Sequence, residues 1–398
     1  MASMVIDSTS RYSCTLTELS SLTLLESVLE TNNAPITAIM PNTYKEIAKN
    51  FAGADILKNP LYKNMHTAEL VNKTFDLIPS DDSNVFGEQP DYDITIHDST
   101  LHTNFVTFGR RKIMLFDKFT KQRSRLSKYE SYFKTQDRLT DLCFLNCESP
   151  IGYYVRPNST LFLNVRLGRH TECQSLSCTT LIVDIGANSD VTINEDYFSN
   201  RDCQLFNIVY IVREGGSLTL QRNYYQAGYL VNESKIIQYP FSDFKFECKA
   251  NSDSSYVIDA MDIEVWNDCN TMVLSRVGCN STTFNMSTNI VHKAKNSVST
   301  TDVKSVNNKS SKFTFLGNIN IDKLGDNVSA KLYNKNLVID KESTVITEPK
   351  LDINNKNIEC SHGCTVSYVD QEQLYYLGSR GLERKQSIDI VSEAFLES

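Results

Sequence analysis

Gly186-Ala-Asn-Ser-Asp-Val-Thr-Ile193 and Gly215-Gly-Ser-Leu-Thr-Leu220 share one grammar, a corner of small residues followed by a short alternating run. Their strand starts lie about 27 residues apart, and Gly278-Cys-Asn-Ser281 restarts the theme further along. A short strand, a small-residue corner and another short strand recurring in the 20–50 residue range predict a β-solenoid. Working outward, residues 91–350 are a procession of β-branched and aromatic runs. They include Leu181-Ile-Val-Asp-Ile185, Phe206 to Val212, Tyr256-Val-Ile-Asp259 and Lys312-Phe-Thr-Phe-Leu316, with turn residues between them. A β-sandwich carries short strands of the same kind; the repeated corner favours the solenoid.

The flanks read differently. In residues 1–90, Thr15-Leu-Thr-Glu18 is a capping box ahead of Leu19, Leu22, Leu25, Val28 and Leu29 at helical spacing. Thr43-Tyr-Lys-Glu46 repeats the signal, with Tyr44, Ile47 and Phe51 on one face, until Pro79 to Ser83 breaks the pattern. At the other end Asp370-Gln-Glu-Gln373 opens a helix with Leu374, Tyr375 and Leu377 on its apolar side, and Gly381 suits its stop. A second helix from about Glu383 carries Ile388, Val391 and Phe395. The expected organisation is therefore an N-terminal helical domain (1–90), a mainly β core (91–368) and a C-terminal helical segment (369–398).

Composition excludes several classes. The chain has 398 residues, which ordinarily make two or three domains, and a net charge of −8. That balance argues against a protein whose whole surface tracks nucleic acid. No apolar run is long enough to span a membrane. Residues 1–20 lack the apolar core of a secretory signal, and the eleven cysteines are odd in number, so reduced thiols in a cytoplasm are expected. There is no Gly-x-x-x-x-Gly-Lys-Ser/Thr, no Gly-x-Gly-x-x-Gly, no His-Glu-x-x-His and no Gly-x-Ser-x-Gly, so no nucleotide is expected to bind this chain through a P-loop. Cys143 with Cys147 and Cys173 with Cys178 read as incidental thiols. His97-Asp98-Ser99 holds the residue types of a hydrolase triad, but consecutive strand residues point to opposite faces and cannot converge.

Two clusters remain. Arg110 to Lys128 carries eight cations against Asp117 alone, interleaved with Phe116 and Phe119. It reads as a solvated face, with an acidic partner or nucleic acid as the other possibilities. Glu359-Cys360-Ser361-His362-Gly363-Cys364 sets Cys360, His362 and Cys364 at i, i+2 and i+4, on one face if the segment is a strand. Thiolate and imidazole suit zinc, iron or an iron–sulfur species; two buried thiols and a hydrogen-bonded histidine are the alternative. The other five histidines, at 66, 97, 102, 170 and 292, read as structural or surface residues.

Cys360-Ser-His-Gly-Cys-Thr365, then Asp370-Gln-Glu-Gln-Leu-Tyr-Tyr-Leu and Ser379-Arg-Gly381, resembles the C-terminal signature of the SufB/SufD family of the SUF iron–sulfur cluster assembly complex. Gly317-Asn-Ile-Asn-Ile321, Tyr333 to Ile339, Glu348 to Ile353 and Glu393-Ala-Phe-Leu396 extend the likeness over roughly 290–398. Gly363 after the histidine is the SufD form, where SufB-like chains carry an acidic residue; Cys364 departs from the family's usual alanine. The resemblance implies a right-handed parallel β-helix and a non-catalytic scaffold. It also implies pairing with a SufB-like paralogue, and a terminal helical segment that docks a SufC-like ABC ATPase through Leu374, Tyr375, Leu377, Ile388, Val391 and Phe395. His362 matches the family's interface histidine and Cys360 its neighbouring cysteine. A transient iron–sulfur cluster is then expected at the partner interface, with Cys364 as a further candidate ligand; flavin binding is left open. The alternative of another class is a carbohydrate-active or carbohydrate-binding β-helix.

Overall fold

A computed structural model describes residues 150–168, 175–198, 203–225, 228–253 and 255–398, with shorter stretches between 12 and 143. The helices expected in the first 90 residues lie outside the described residues. Strand β1 (Tyr12–Thr15) is described there, antiparallel to β2 (Thr74–Leu77).

Among the described residues between 91 and 150, antiparallel pairing enters beside the parallel stacking of β3 (Ile94–His97) on the strand Thr160–Leu167. A two-residue link between β3 and β4 (Thr100–Thr103) is too short for a crossover, so the two strands form a hairpin. Likewise β5 (Ile113–Phe116) runs antiparallel to β6 (Ile151–Val155). Parallel coiling takes over with β6 and β7 (Thr160–Leu167), which pair with β8 (Ser175–Ile185) and β9 (Asp190–Phe198).

From there the chain winds about seven coils, each giving one strand to each of two sheets. The first sheet continues through β10 (Cys203–Val212), β12 (Tyr229–Gln238), β14 (Tyr256–Val265), β16 (Thr283–His292), β18 (Lys312–Ile321) and β20 (Thr344–Ile353). The second takes β11 (Ser217–Tyr225), β13 (Asp243–Asp253), β15 (Asn270–Asn280), β17 (Val298–Asn308), β19 (Val328–Val338) and β21 (Ile358–Tyr368). Ser217 pairs level with Asp190, which is the spacing seen between the two quoted phrases. Helices α1 (Gln371–Ser379) and α2 (Arg384–Glu397) follow.

The four runs singled out in the sequence fall in β8, β10, β14 and β18, all in the first sheet. In β10 nearly every residue is buried, so that strand reads as a continuous apolar run. Strands β11 and β15 instead alternate buried with half-exposed residues. Inside the coils Ile, Val, Leu and Phe stack in rows to make one continuous core.

The corners explain the sequence grammar. Asn158, Asn188, Gly215, Phe241, Asp268, Asn296 and Asn327 occupy the same corner of successive coils with φ between 53° and 65°. Each donates its backbone N–H to the next coil, for example Asn188 to Glu214 O at 3.0 Å and Asn296 to Asp326 O at 2.9 Å. Left-handed backbone favours Gly, Asn and Asp, which is why the corner signal is small and polar. Phe241 breaks that rule. Gly278-Cys-Asn-Ser281 marks the opposite corner, at the end of β15, so it repeats the coil but not the same turn.

One interior position is ionic. Arg222, fully buried, donates to Glu195 Oε2 at 3.2 Å and Asp259 Oδ1 at 2.8 Å, with Tyr210 and Ser234 hydroxyls each at 3.3 Å. Glu195 also accepts from Tyr197, at 3.1 Å, and from Tyr210. Burial pushes the Glu195 carboxyl up, an effect partly offset by Arg222 and by the tyrosine hydrogen bonds.

Candidate functional site at the open end of the solenoid

The last coil has no successor. Among the described residues strand β20 pairs only with β18 and β21 only with β19, so each ends its sheet as an edge. Register fixes where the Cys-His-Cys residues point. Cys360, His362 and Cys364 lie level with Ala330, Leu332 and Asn334 of β19, all fully buried inside the coils. Level residues of parallel strands share a face, so the three side chains continue the interior rows onto a coil that nothing covers. Cys360 is half-buried against the core, while His362 and Cys364 are exposed. The sheet opposite contributes Thr347, whose hydroxyl accepts from Cys364 Sγ at 3.4 Å.

The one-face expectation therefore holds. A closed metal centre does not form: among the described residues no three His, Cys, Asp or Glu side chains converge on one point. Alternate residues of a strand stand roughly 6.7 Å apart, whereas metal–ligand bonds measure about 2.0–2.3 Å. The row presents successive donors along an edge rather than a cage. Burial pushes the Cys360 thiol up. Gly363 points to the outer face, where an added Cβ would make only ordinary contact with the Tyr333 ring at 3.4 Å. Packing alone does not demand glycine there.

The terminal helices pack on the solenoid. Leu374, Ile388, Val391 and Phe395 pack with Val306, Leu337 and Val369, turning the inner face of α1 and α2 onto the second sheet. Four of the six expected docking residues thus serve the chain's own core. Leu377 is half-buried, and the outward face is built from Tyr375, 82% exposed, with Tyr376 and Ile390. Asp370 caps α1 by accepting from Glu372 N at 2.9 Å, and Glu383 N donates to Gln386 Oε1 at 3.0 Å ahead of α2.

The basic stretch ends in structure rather than in an open stripe. Its C-terminal part enters a 3-10 helix, Arg123–Tyr132, which docks on the solenoid. Tyr129 OH donates to the buried Asp184 at 2.7 Å, Arg213 grips that carboxylate at 2.8 and 2.9 Å, and Lys128 Nζ lies 4.6 Å over the Tyr129 ring. Arg110, Arg111, Lys118 and Lys121 lie outside the described residues.

Sequence reasoning missed three features. Arg222 was legible in principle, since it falls on the inward beat of Leu218, Leu220, Arg222 and Tyr224. Thr347 carried no local signal, because only the closing of the last coil brings it to Cys364. Phe241 hid because the corner pattern was sought in small residues.

Residues 168–395 match the SUF system FeS cluster assembly SufBD core domain. The chain is 32% identical over 108 residues to the iron–sulfur cluster assembly protein SufB of Bacillus subtilis (strain 168), covering 27% of this chain and 23% of that protein. It is 36% identical over 81 residues to the iron–sulfur cluster assembly protein SufD of Escherichia coli (strain K12), covering 20% and 19%. A SufBD family protein of Staphylococcus saprophyticus matches at 32% over 108 residues. These alignments span about a quarter or less of the relatives' length. Both SufB and SufD appear among them.

Proposed function

The chain belongs to the SufBD family of the SUF iron–sulfur cluster assembly system, and from that premise we propose that it is a SufD-like scaffold subunit and not an enzyme. In this reading the free edge of β21 pairs with a SufB-like paralogue, and the nascent cluster is cargo built at that seam. The outer face of α1 and α2 docks a SufC-like ATPase, which supplies the nucleotide chemistry for which this sequence has no P-loop. The observation that carries the reading is the uncovered last coil, whose interior row ends in Cys360, His362 and Cys364 at two free sheet edges.

A free parallel edge is a template for another strand. Of the two, β21 is the better one, because β20 carries Pro349 and a proline cannot complete a hydrogen-bonded ladder. Asn334 and Asn336 of β19 are buried between two neighbouring strands, so the pairing surface is that of β20 and β21. A donor row along one edge, not closed into a cage, fits transient cargo whose remaining ligands come from the partner. The SufD form rests on Cys360-Ser-His-Gly and Gly363. The described cysteines that are free thiols suit a reducing, cytoplasmic compartment. A carbohydrate-active β-helix is not favoured, since the matched domain and relatives belong to cluster assembly.

The test is to co-express this chain with SufB-like and SufC-like proteins and reconstitute the cluster. His362→Ala is expected to keep the melting temperature and partner retention while strongly lowering cluster absorbance. Cys360→Ala is expected to do less, and Cys364→Ala little. Normal cluster yield from the His362→Ala complex would remove that residue from the mechanism; a collapsed melting temperature would make it structural. Tyr375→Ala with Tyr376→Ala is expected to release the ATPase without unfolding the solenoid, and stoichiometric retention would refute the docking face.

A further inference from the structure

Phe241 stands where its fold least favours it. Six of the seven equivalent corners use Asn, Gly or Asp, and this one holds a bulky aromatic at φ 63°. A non-glycine residue in left-handed backbone is strained, and for an aromatic without a local side-chain hydrogen bond nothing at the corner offsets that strain. The conformation persists because its surroundings over-determine it. Phe241 N donates to Asn267 O at 3.0 Å, Gly215 N to Pro240 O at 3.1 Å, and Ser242 N to Tyr239 O at 3.2 Å. From below, Cys269 Sγ donates to Tyr239 O at 3.2 Å. The ring gives the core nothing in return, being 59% exposed.

Strain held in place around an exposed side chain marks function more often than packing. The neighbouring corner supports this. Trp266, the chain's single tryptophan, is 41% exposed one coil further on, immediately before Asn267, to which Phe241 is bonded. Three carboxylates share this corner edge: Glu214 on the preceding coil, Asp243 two residues after Phe241, and Asp268 at the next corner. Among the described residues none of the three forms an ion pair. Asp243 accepts only the Asn270 amide at 2.7 Å and Asp268 the Asn296 amide at 3.0 Å. Of the cations on this ridge, Arg213 is committed to Asp184, and exposed Lys295 lies one coil beyond Trp266, its carbonyl accepting from Asp268 N at 3.1 Å.

Two exposed aromatic faces on a corner edge that carries three carboxylates outside ion pairs and an exposed lysine complement a cation carried on an apolar stem. We propose that the Phe241–Trp266 ridge is a docking site for a basic protein segment that presents arginine or lysine beside an apolar residue. Cations stack on the two rings, Glu214, Asp243 and Asp268 neutralise them, and the apolar neighbour covers Phe241. The site lies on the corner edge of the coils and is separate from the open end.

Because Trp266 is unique, its fluorescence reads occupancy directly. The probe is the peptide Gly-Leu-Arg-Leu-Arg-Gly, with Gly-Leu-Glu-Leu-Glu-Gly as the opposite-charge control. The basic peptide is expected to give a saturable emission change that weakens at least threefold between low and physiological salt; the acidic one is expected to give none. Phe241→Asn should abolish the response while raising the melting temperature by about 2–4 °C, because asparagine relieves the corner. Glu214→Gln with Asp243→Asn should weaken binding with stability unchanged. No saturable response to the basic peptide, an equal response to both peptides, or a lowered melting temperature in Phe241→Asn would each overturn the proposal.

Discussion

Replacing Arg222 by methionine keeps much of the stem volume and removes the one cation that Glu195 and Asp259 share inside the coils. All three side chains are fully buried, so water cannot take over. Asp259 is already under-satisfied, its second oxygen finding no hydrogen-bond partner among the described residues. With Arg222 gone, at least one carboxyl must fold as the neutral acid. Taking up that proton at pH 7 from an unfolded value near 4.3 costs about 4 kcal/mol, at about 1.4 kcal/mol per unit. The figure lies in the range of about 3–5 kcal/mol found when a buried pair loses one partner. The sign with pH follows. The variant's carboxyl has a folded pKa above its unfolded one, so the native state binds the extra proton and stability falls as pH rises. The deficit should therefore shrink to about 1 kcal/mol at pH 5. Urea unfolding of both proteins at pH 5 and 7, with far-ultraviolet circular dichroism to confirm the coil, measures it. A deficit under about 1 kcal/mol at pH 7, or one unchanged at pH 5, would refute the reasoning.

His292 is buried with ring nitrogens 2.7 Å from Ser297 Oγ and 2.9 Å from Ser299 Oγ, and burial pushes it down to about 4. Its neutral form belongs to the fold, so stability is full above about pH 6.5 and is lost as pH falls toward 4, by about 3 kcal/mol in all; His292→Gln should flatten that limb of the unfolding curve. Asn327 holds its corner at φ 53° and donates its side-chain amide to Asn296 Oδ1 at 3.0 Å. Asn327→Ala should cost about 1–2 kcal/mol and Asn327→Gly less, read by thermal melts, and equal losses would dismiss the backbone as the cause.

The solenoid was legible because a coil repeats its constraints at a fixed interval. Every turn needs a left-handed corner, and two of those corners, Gly186 to Ser189 and Gly215 to Gly216, were written in residues that advertise it. The departures have local causes. The loops on both sides of the coil lengthen in the last turns, those leaving the first sheet as well as those returning to it, so Thr283 pairs with Lys312 and Lys312 with Thr344 at a wider interval than the early coils. The 91–150 segment shows strand propensity but no corner, and without corners propensity cannot separate a hairpin from a coil. The inner face of α1 and α2 was read correctly as apolar. Which surface it covers is a tertiary fact that no heptad or moment contains.

The open end shows why a site can be half-read. Alternation alone puts Cys360, His362 and Cys364 on one face, and that much needs only the strand. Whether the face points inward or outward depends on register with Ala330, Leu332 and Asn334, which a single strand does not carry. The answer changes the chemistry. Outward, the three donors would be ordinary surface groups among Glu359, Ser361 and Thr365; inward, they end rows that run the length of the core and stop where the coils stop. An interior row can meet solvent only at the end of a solenoid, and only there can a second chain complete it. On the proposed reading, a partner coil that caps this row shields cargo placed on it, and lifting the cap exposes it again. Deuterium exchange of β20 and β21, measured with and without the SufB-like protein, tests this directly: protection must appear in both strands on mixing, and its absence would place the seam elsewhere.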